Sequence, residues 1–131
     1  MAEFSDYMEN KVIEVMRATS FTAVAAYVAL FKSPVTDAEL EAGTLTNEVS
    51  GGAYARQLAG LSVASGGASS NAADITFPTA TADWGTVTHC ALMDALTLGN
   101  VFMYSALVAS KVVAIGDTFK ISAGDLDVTI T

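Results

Sequence analysis

His89 and Cys90 are the only histidine and the only cysteine, and they stand next to each other. A Ser-His-Asp or Cys-His mechanism would have to use this single imidazole. Both residues lie in an apolar stretch predicted to be a β-strand, where successive side chains point to opposite faces. The pair therefore cannot form a catalytic dyad in regular strand geometry. We interpret Cys90 as a small core residue and His89 as a half-exposed strand residue.

Metal binding has few candidate ligands. A zinc site would need several carboxylates, because no H-x-x-x-H or C-x-x-C spacing occurs. Asp117, Asp125 and Asp127 lie at predicted turns near one end of the strands, and their oxygens could share a calcium ion. Asp beside Gly is also ordinary turn chemistry, and no complete EF-hand loop is present. We predict no metal and no cofactor, with calcium at these aspartates as the alternative.

Glycine-rich segments and Trp84 could support two other kinds of binding. Residues 50–54 and 65–67 lack the G-x-x-x-x-G-K-[ST] pattern and open no predicted helix, so we interpret them as turns that need positive φ. Trp84 or the tyrosines could bind carbohydrate, since lectin-like jelly rolls exist. The place of Trp84 beside Gly85, at the start of an apolar strand, is more typical of a core or rim position. With no catalytic constellation in the sequence, we predict that the protein is not an enzyme.

The charge balance limits the possible partners. Fourteen acidic residues against six basic ones give a net charge of −8, which disfavours nucleic acid and anionic membrane surfaces. The longest apolar run, residues 21–31, is shorter than the roughly 20 residues of a membrane span, and no signal-peptide pattern is found. Because 52% of the chain is hydrophobic and only 15% is charged, we expect neighbouring subunits to cover part of its surface.

An amphipathic helix is predicted at about residues 6–18. Asp6 and Glu9 have capping-box-like spacing at its start. Apolar residues then recur at i, i+4, i+7 and i+8, as on one face of a helix. These residues are Met8, Val12, Val15 and Met16. The helix either packs on its own domain, which is the usual case, or docks as an arm on a neighbouring subunit.

Short strands separated by turn residues are predicted beyond the helix. The strands are 26–31, 54–63, 73–77, 84–93, 101–108, 112–115, 118–122 and 126–130. Pro34 to Gly52 is acidic and lacks periodicity, which indicates a long surface loop, and residues 65–71 indicate a turn region. Eight short strands favour an all-β, jelly-roll-like sandwich. We predict one domain over residues 1–131, with the sandwich at about 26–131.

Strict alternation near the C-terminal end predicts which side chains face the core. The inward residues are Phe119, Ile121, Leu126, Val128 and Ile130, and the outward residues are Lys120, Asp127 and Thr129.

Five segments, in order, resemble a family of small phage and prophage proteins labelled tail-fibre-like or capsid decoration proteins. The segments are 27–31 (YVALF), 48–57 (EVSGGAYARQ), 70–78 (SNAADITFP), 84–89 (WGTVTH) and 116–118 (GDT). The resemblance covers roughly residues 5–131. The acidic loop at 36–48 is longer than expected, and the residues from Cys90 to Met93 are less bulky.

The resemblance implies a virion protein with a jelly-roll-like fold. We expect a capsid decoration (cement) protein that is made in the host cytoplasm. Its copies, assembled as homotrimers, would bind the outer capsid surface and bridge subunits of the major capsid protein. The helix, the acidic loop and one edge of the sandwich are the expected contact regions. A tail-fibre or tail-tip subunit is the first alternative, and a glycan-binding module is the second.

Overall fold

The computed structural model describes residues 3–130. Its elements in chain order are β1 (Glu3–Phe4), α1 (Asp6–Met16), β2 (Tyr27–Lys32), α2 (Asp37–Glu41), β3 (Gln57–Leu58), β4 (Ala68–Ser70), β5 (Ile75–Thr76), β6 (Gly85–Met93), β7 (Val101–Val113), β8 (Lys120–Ile121) and β9 (Asp127–Thr129). Among residues 3–130, strand and bridge residues account for 36% and helices for 12%, which confirms the predicted all-β class with an N-terminal helix. No helix among residues 3–130 is long and apolar enough to cross a membrane.

Within residues 3–130, the strands form one antiparallel sheet of five and two separate pairs. The order in the sheet is β1-β7-β6-β2-β3, and the pairs are β4-β9 and β5-β8. The jelly-roll arrangement of these strands stays a prediction.

Strand β2 lies inside the sheet and is covered on both faces. Val28, Ala29, Leu30 and Phe31 are all fully buried, which explains why this strand is continuously apolar in sequence rather than alternating. Val28 and Leu30 pack into one core cluster, while Ala29 and Phe31 pack into another on the opposite face. The predicted strand at 26–31 is confirmed to within one residue.

The two strand pairs and the loops beside them cover the first face. Ile75 of β5, Ile121 of β8 and Val128 of β9 all pack against the cluster that contains Val28 and Leu30. Aromatic rings fill the space between these layers. Phe77 stacks with Tyr54 and makes an edge contact with Phe119, with ring centroids 6.1 Å and 5.6 Å apart.

A short helix that the sequence analysis missed covers the second face. Residues 34–52 were predicted to be a long surface loop, but α2 lies within them and its Leu40 is fully buried beside Phe31. Thr36 and Glu39 form a complete capping box, with each side chain bonded to the other residue's backbone N–H. The loop prediction was therefore wrong for this part of the segment.

Strand β7 replaces two predicted strands. Residues 101–108 and 112–115 were predicted as separate strands, but β7 runs without a turn from Val101 to Val113. Val87 pairs with Lys111 and His89 pairs with Ala106, so Thr88 alone lies opposite the four residues 107–110. These four residues form a large β-bulge, which keeps the strand continuous while the register shifts.

Three smaller predictions were also wrong. Only Gln57 and Leu58 are strand residues within the predicted strand 54–63. The predicted turn region at 65–71 is shorter, because Gly66 and Gly67 take up the positive-φ positions and β4 begins immediately afterwards at Ala68. Ile130 was expected to face inward, but it is exposed at the end of its strand pair.

Candidate protein interaction site

His89 and Cys90 leave opposite faces of β6, as strand alternation predicts. His89 Nε2 lies 2.9 Å from Asp37 Oδ1 of α2, and His89 Nδ1 lies 2.9 Å from Thr88 Oγ1. Cys90 packs against the core cluster on the other face, where burial raises the pKa of its thiol to about 11. The imidazole and the thiol therefore do not act on a common substrate atom. His89 instead connects the sheet to the start of α2.

The three aspartates considered for calcium are not brought together. Asp117 Oδ2 accepts a hydrogen bond of 2.9 Å from the Ala114 N–H and so closes its own turn. Asp125 and Asp127 line a groove beside β6 and β7 instead. Among residues 3–130, no three His, Cys, Asp or Glu side chains are placed to hold a metal ion.

Trp84 belongs to the core. Its side chain is 1% exposed, and its Nε1–H donates a 2.8 Å hydrogen bond to the Gly52 carbonyl oxygen. Tyr54 covers it edge-on, with ring centroids 5.5 Å apart. The Trp84 ring thus offers no free face for a sugar. The glycine-rich loop at 50–54 serves to receive this indole.

A buried polar cluster around Arg56 is the feature that sequence reasoning missed. The guanidinium donates two hydrogen bonds of 2.7 Å to the Glu48 carboxylate. It donates two more, of 2.7 Å and 2.8 Å, to the carbonyl oxygens of Ala95 and Leu98. Tyr54 donates its hydroxyl to Glu48 at 2.9 Å and accepts from the Leu30 N–H at 3.0 Å. The sequence did offer one signal for this cluster, since Arg56 is the only lysine or arginine between Lys32 and Lys111.

Burial and neighbouring charges shift the pKa values of Tyr54 and Arg56. Burial raises the pKa of Tyr54, and the neighbouring negative charge of Glu48 raises it further, so the phenol stays protonated. Burial lowers the pKa of Arg56, but the hydrogen bonds and the charge of Glu48 more than offset this effect. Each side-chain nitrogen and oxygen atom of Glu48, Tyr54 and Arg56 has a hydrogen-bond partner. The role of this cluster is to fix the loop at 95–98, which exposes Leu96 and Leu98 to solvent.

Helix α1 is attached to the sheet at its beginning. Its N-cap, Ser5, is buried; the Ser5 hydroxyl donates to the Val101 carbonyl oxygen and accepts from the Met8 N–H at 3.3 Å. The Ser5 N–H also donates to the Phe102 carbonyl oxygen at 3.0 Å. Tyr7 then stacks on the Phe102 ring, with centroids 6.3 Å apart. The first turn of α1 is therefore held in a fixed place on β7.

The apolar residues of α1 face solvent rather than the sheet. The helix was expected to use Met8, Val12, Val15 and Met16 as its packing face, but none of its residues is buried. After Met8, its half-buried residues are Lys11 and Glu14. The exposed fractions of Val12, Ile13, Val15 and Met16 run from 38% to 74%. Since contact with the domain uses the other side of the helix, this apolar surface is free to contact another protein.

Comparison of the chain with known protein families finds a match to a family of phage fibre proteins. Residues 3–129 match the family model described as Podophage GP4 fiber I protein gp80. No curated protein matches the chain.

Proposed function

Because the chain belongs to the podophage GP4 fiber I protein gp80 family, we propose that it is a fibre subunit that binds a neighbouring virion protein through α1 and catalyses no reaction. The membership confirms the prediction of a phage virion structural protein. The partner of the subunit and its location on the particle are proposed here.

The outward apolar surface of α1 is the observation that carries this proposal. We name this surface, made of Val12, Ile13, Val15 and Met16, the α1 face. A helix on the surface of an isolated domain normally turns its apolar side inward. Here four large apolar side chains on one short helix are left in water, at a cost of about 25 cal/mol for each Å² of apolar surface. Covering them with a partner recovers that free energy.

The anchoring of α1 makes it suited to tight binding. Ser5 and Tyr7 hold the first turn against β7, so the α1 face is presented in one orientation before a partner arrives. Binding then costs less conformational entropy than it would for a disordered arm. This supports a preformed docking surface, which combines the two alternatives drawn from the sequence.

The expected capsid decoration role is the second candidate, and one observation favours it. A cement protein must hold two neighbours at once, and the domain has a second exposed apolar surface on β7, at Val108 and Val112. In this role, homotrimers on the outer capsid surface would bridge major capsid protein subunits. Binding to the assembled shell alone would stabilise it by mass action. In either role, the net charge of −8 disfavours nucleic acid and anionic membranes as partners.

Copy number distinguishes the two roles. The chain and the major capsid protein can be quantified in purified particles by densitometry or by mass spectrometry with labelled peptides. A fibre subunit should be present in a few dozen copies or fewer. A ratio approaching one chain per major capsid protein would overturn the fibre role and support the decoration role.

Substitution of the α1 face tests the docking surface itself. Ile13→Asp combined with Met16→Asp should leave the isolated domain folded, because neither side chain is buried. Particles that assemble with this variant should carry at least tenfold less of it than of the wild-type chain, since an aspartate buried in an interface is strongly unfavourable. Val63→Asp is the matched control, because Val63 is 95% exposed and lies outside α1. Equal incorporation of both variants would refute docking through α1.

A further inference from the structure

The β-bulge in β7 forms a protruding apolar tip. Residues 107–110 lie opposite a single residue of β6, and Val108 within them is fully exposed, with a relative accessibility of 110%. The other edge of β7 is only partly covered, since β1 pairs with Met103 and Tyr104 and with no later residue among 3–130. The segment from Leu107 to Val112 therefore has no strand neighbour on that edge within the described part of the chain. An open apolar edge of this kind favours association with another chain.

A groove of about 260 Å³ lies directly beside the tip. Its apolar lining includes Cys90, Leu107, Leu126 and Val128, and Val108 stands at its border. Asp125 and Asp127 add two carboxylates to the same lining. One surface thus combines a protruding valine with an apolar groove.

The charges around this surface are unpaired and of opposite sign. Lys111 is exposed and follows the bulge on β7, while Asp125 and Asp127 are exposed at the groove. Across residues 3–130, none of these three side chains makes a hydrogen bond or an ion pair. In a chain with six basic residues against fourteen acidic ones, a lysine beside an apolar tip is a specific complement for carboxylates.

We propose that a second copy of this chain docks on this surface, with Val108 of one copy in the groove of the other. Lys111 of the first copy would then face Asp125 and Asp127 of the second. Self-association is favoured over a different partner because the surface supplies both halves of the contact, tip with groove and cation with carboxylates. Such self-complementarity is what an interface between identical subunits requires.

This inference is independent of the proposed docking of a fibre subunit. It concerns β7 and β9, whereas that docking uses the α1 face. It is tested on the isolated full-length chain, without particles. Failure of one proposal therefore leaves the other standing.

The test is sedimentation equilibrium of the purified chain, from about 1 μM to about 1 mM, the range in which small interfaces associate. We expect the mass to rise from the 13.5 kDa monomer to at least twice that value as concentration increases. Val108→Asp should weaken association by tenfold or more. Val63→Asp is the matched control, because Val63 is 95% exposed and lies outside this surface, and it should leave association unchanged.

Charge exchange provides a second readout that does not depend on the valine. Lys111→Glu should weaken association, as should Asp125→Lys combined with Asp127→Lys. Mixing these two variants should restore association between the unlike chains, because each now carries the complement of the other. Circular dichroism checks that each variant is folded, and should Val108→Asp unfold, Val108→Ser replaces it.

Three results would overturn the proposal. One is a monomer across the whole concentration range. Another is equal association of Val108→Asp and Val63→Asp. The third is charge variants that associate no better when mixed than when alone, which would place the self-contact elsewhere.

Discussion

Replacing Arg56 with leucine should destabilise the domain more than any other removal of a single charge. The Arg56 side chain is 2% exposed, and its partner Glu48 is 16% exposed. The change deletes four hydrogen bonds of 2.7–2.8 Å, two to Glu48 and two to the loop at 95–98. Among the described residues, Glu48 is then left with the Tyr54 hydroxyl as its one side-chain donor, in a poorly solvated place.

The magnitude follows from the buried charge that is left behind. Removing one partner of a buried ion pair typically costs 3–5 kcal/mol, mostly because the other charge stays desolvated. A domain of this size is stable by about 5–15 kcal/mol in total. At roughly 4 °C for each kcal/mol, the melting temperature should fall by about 12–20 °C.

A surface ion pair of the same length provides the matched control. Arg17 and Glu14 also lie 2.7 Å apart, but their side chains are 69% and 38% exposed. Arg17→Leu should therefore cost no more than about 1 kcal/mol. Combining Arg56→Leu with Glu48→Gln should be less destabilising than Arg56→Leu alone, since no unpaired charge remains. Trp84 is the only tryptophan, so its fluorescence follows unfolding in urea. The measurement gives the free energy of unfolding of the wild-type chain and of the three variants. Equal losses for Arg56→Leu and Arg17→Leu would refute the reasoning from burial.

Two further predictions concern the Trp84 contact and the single thiol. Gly52→Ala should cost clearly more than Gly51→Ala in urea unfolding: both glycines have positive φ, but only at position 52 would the new Cβ lie 2.9 Å from Trp84 Nε1. Equal costs would show that crowding of the indole is unimportant. Burial raises the pKa of Cys90 to about 11. At pH 8 this thiol should therefore react with a thiol reagent about 100-fold more slowly in the folded chain than in the chain unfolded by urea. The folded state favours the protonated Cys90 thiol, so this thiol contributes fully to the free energy of unfolding below pH 9. The contribution is lost as the pH rises to about 11. The free energy of unfolding should therefore fall less steeply with rising pH in Cys90→Ala than in the wild-type chain.

The sequence predicted elements best where local pattern and tertiary environment agree. The continuous apolar run of β2 predicts a buried strand, and in the structure other elements cover this strand on both faces. For α2 the local signal was present, since Thr36 and Glu39 have capping-box spacing, but the acidic composition around them favoured a loop. In β7, the polar residues near Ser110 resemble a break between strands, and only the pairing with β6 shows them to be part of a bulge.

The Arg56 cluster and the partner surface of α1 were harder to predict, because the contacts that define them are between residues distant in sequence. Arg56 bonds to carbonyl oxygens 39 and 42 residues further along the chain, and no local pattern encodes such partners. The periodicity of α1 showed that an apolar face exists but not what covers it. The alternation that separates His89 from Cys90, in contrast, is a local property, and the structure shows the same separation.

The central claim is that α1 joins this subunit to another virion protein, and a cryo-electron microscopy reconstruction of the particle tests it most directly. The account predicts that Val12, Ile13, Val15 and Met16 are buried against a different virion protein. A reconstruction in which the subunit is well resolved and these four side chains remain in solvent would contradict it.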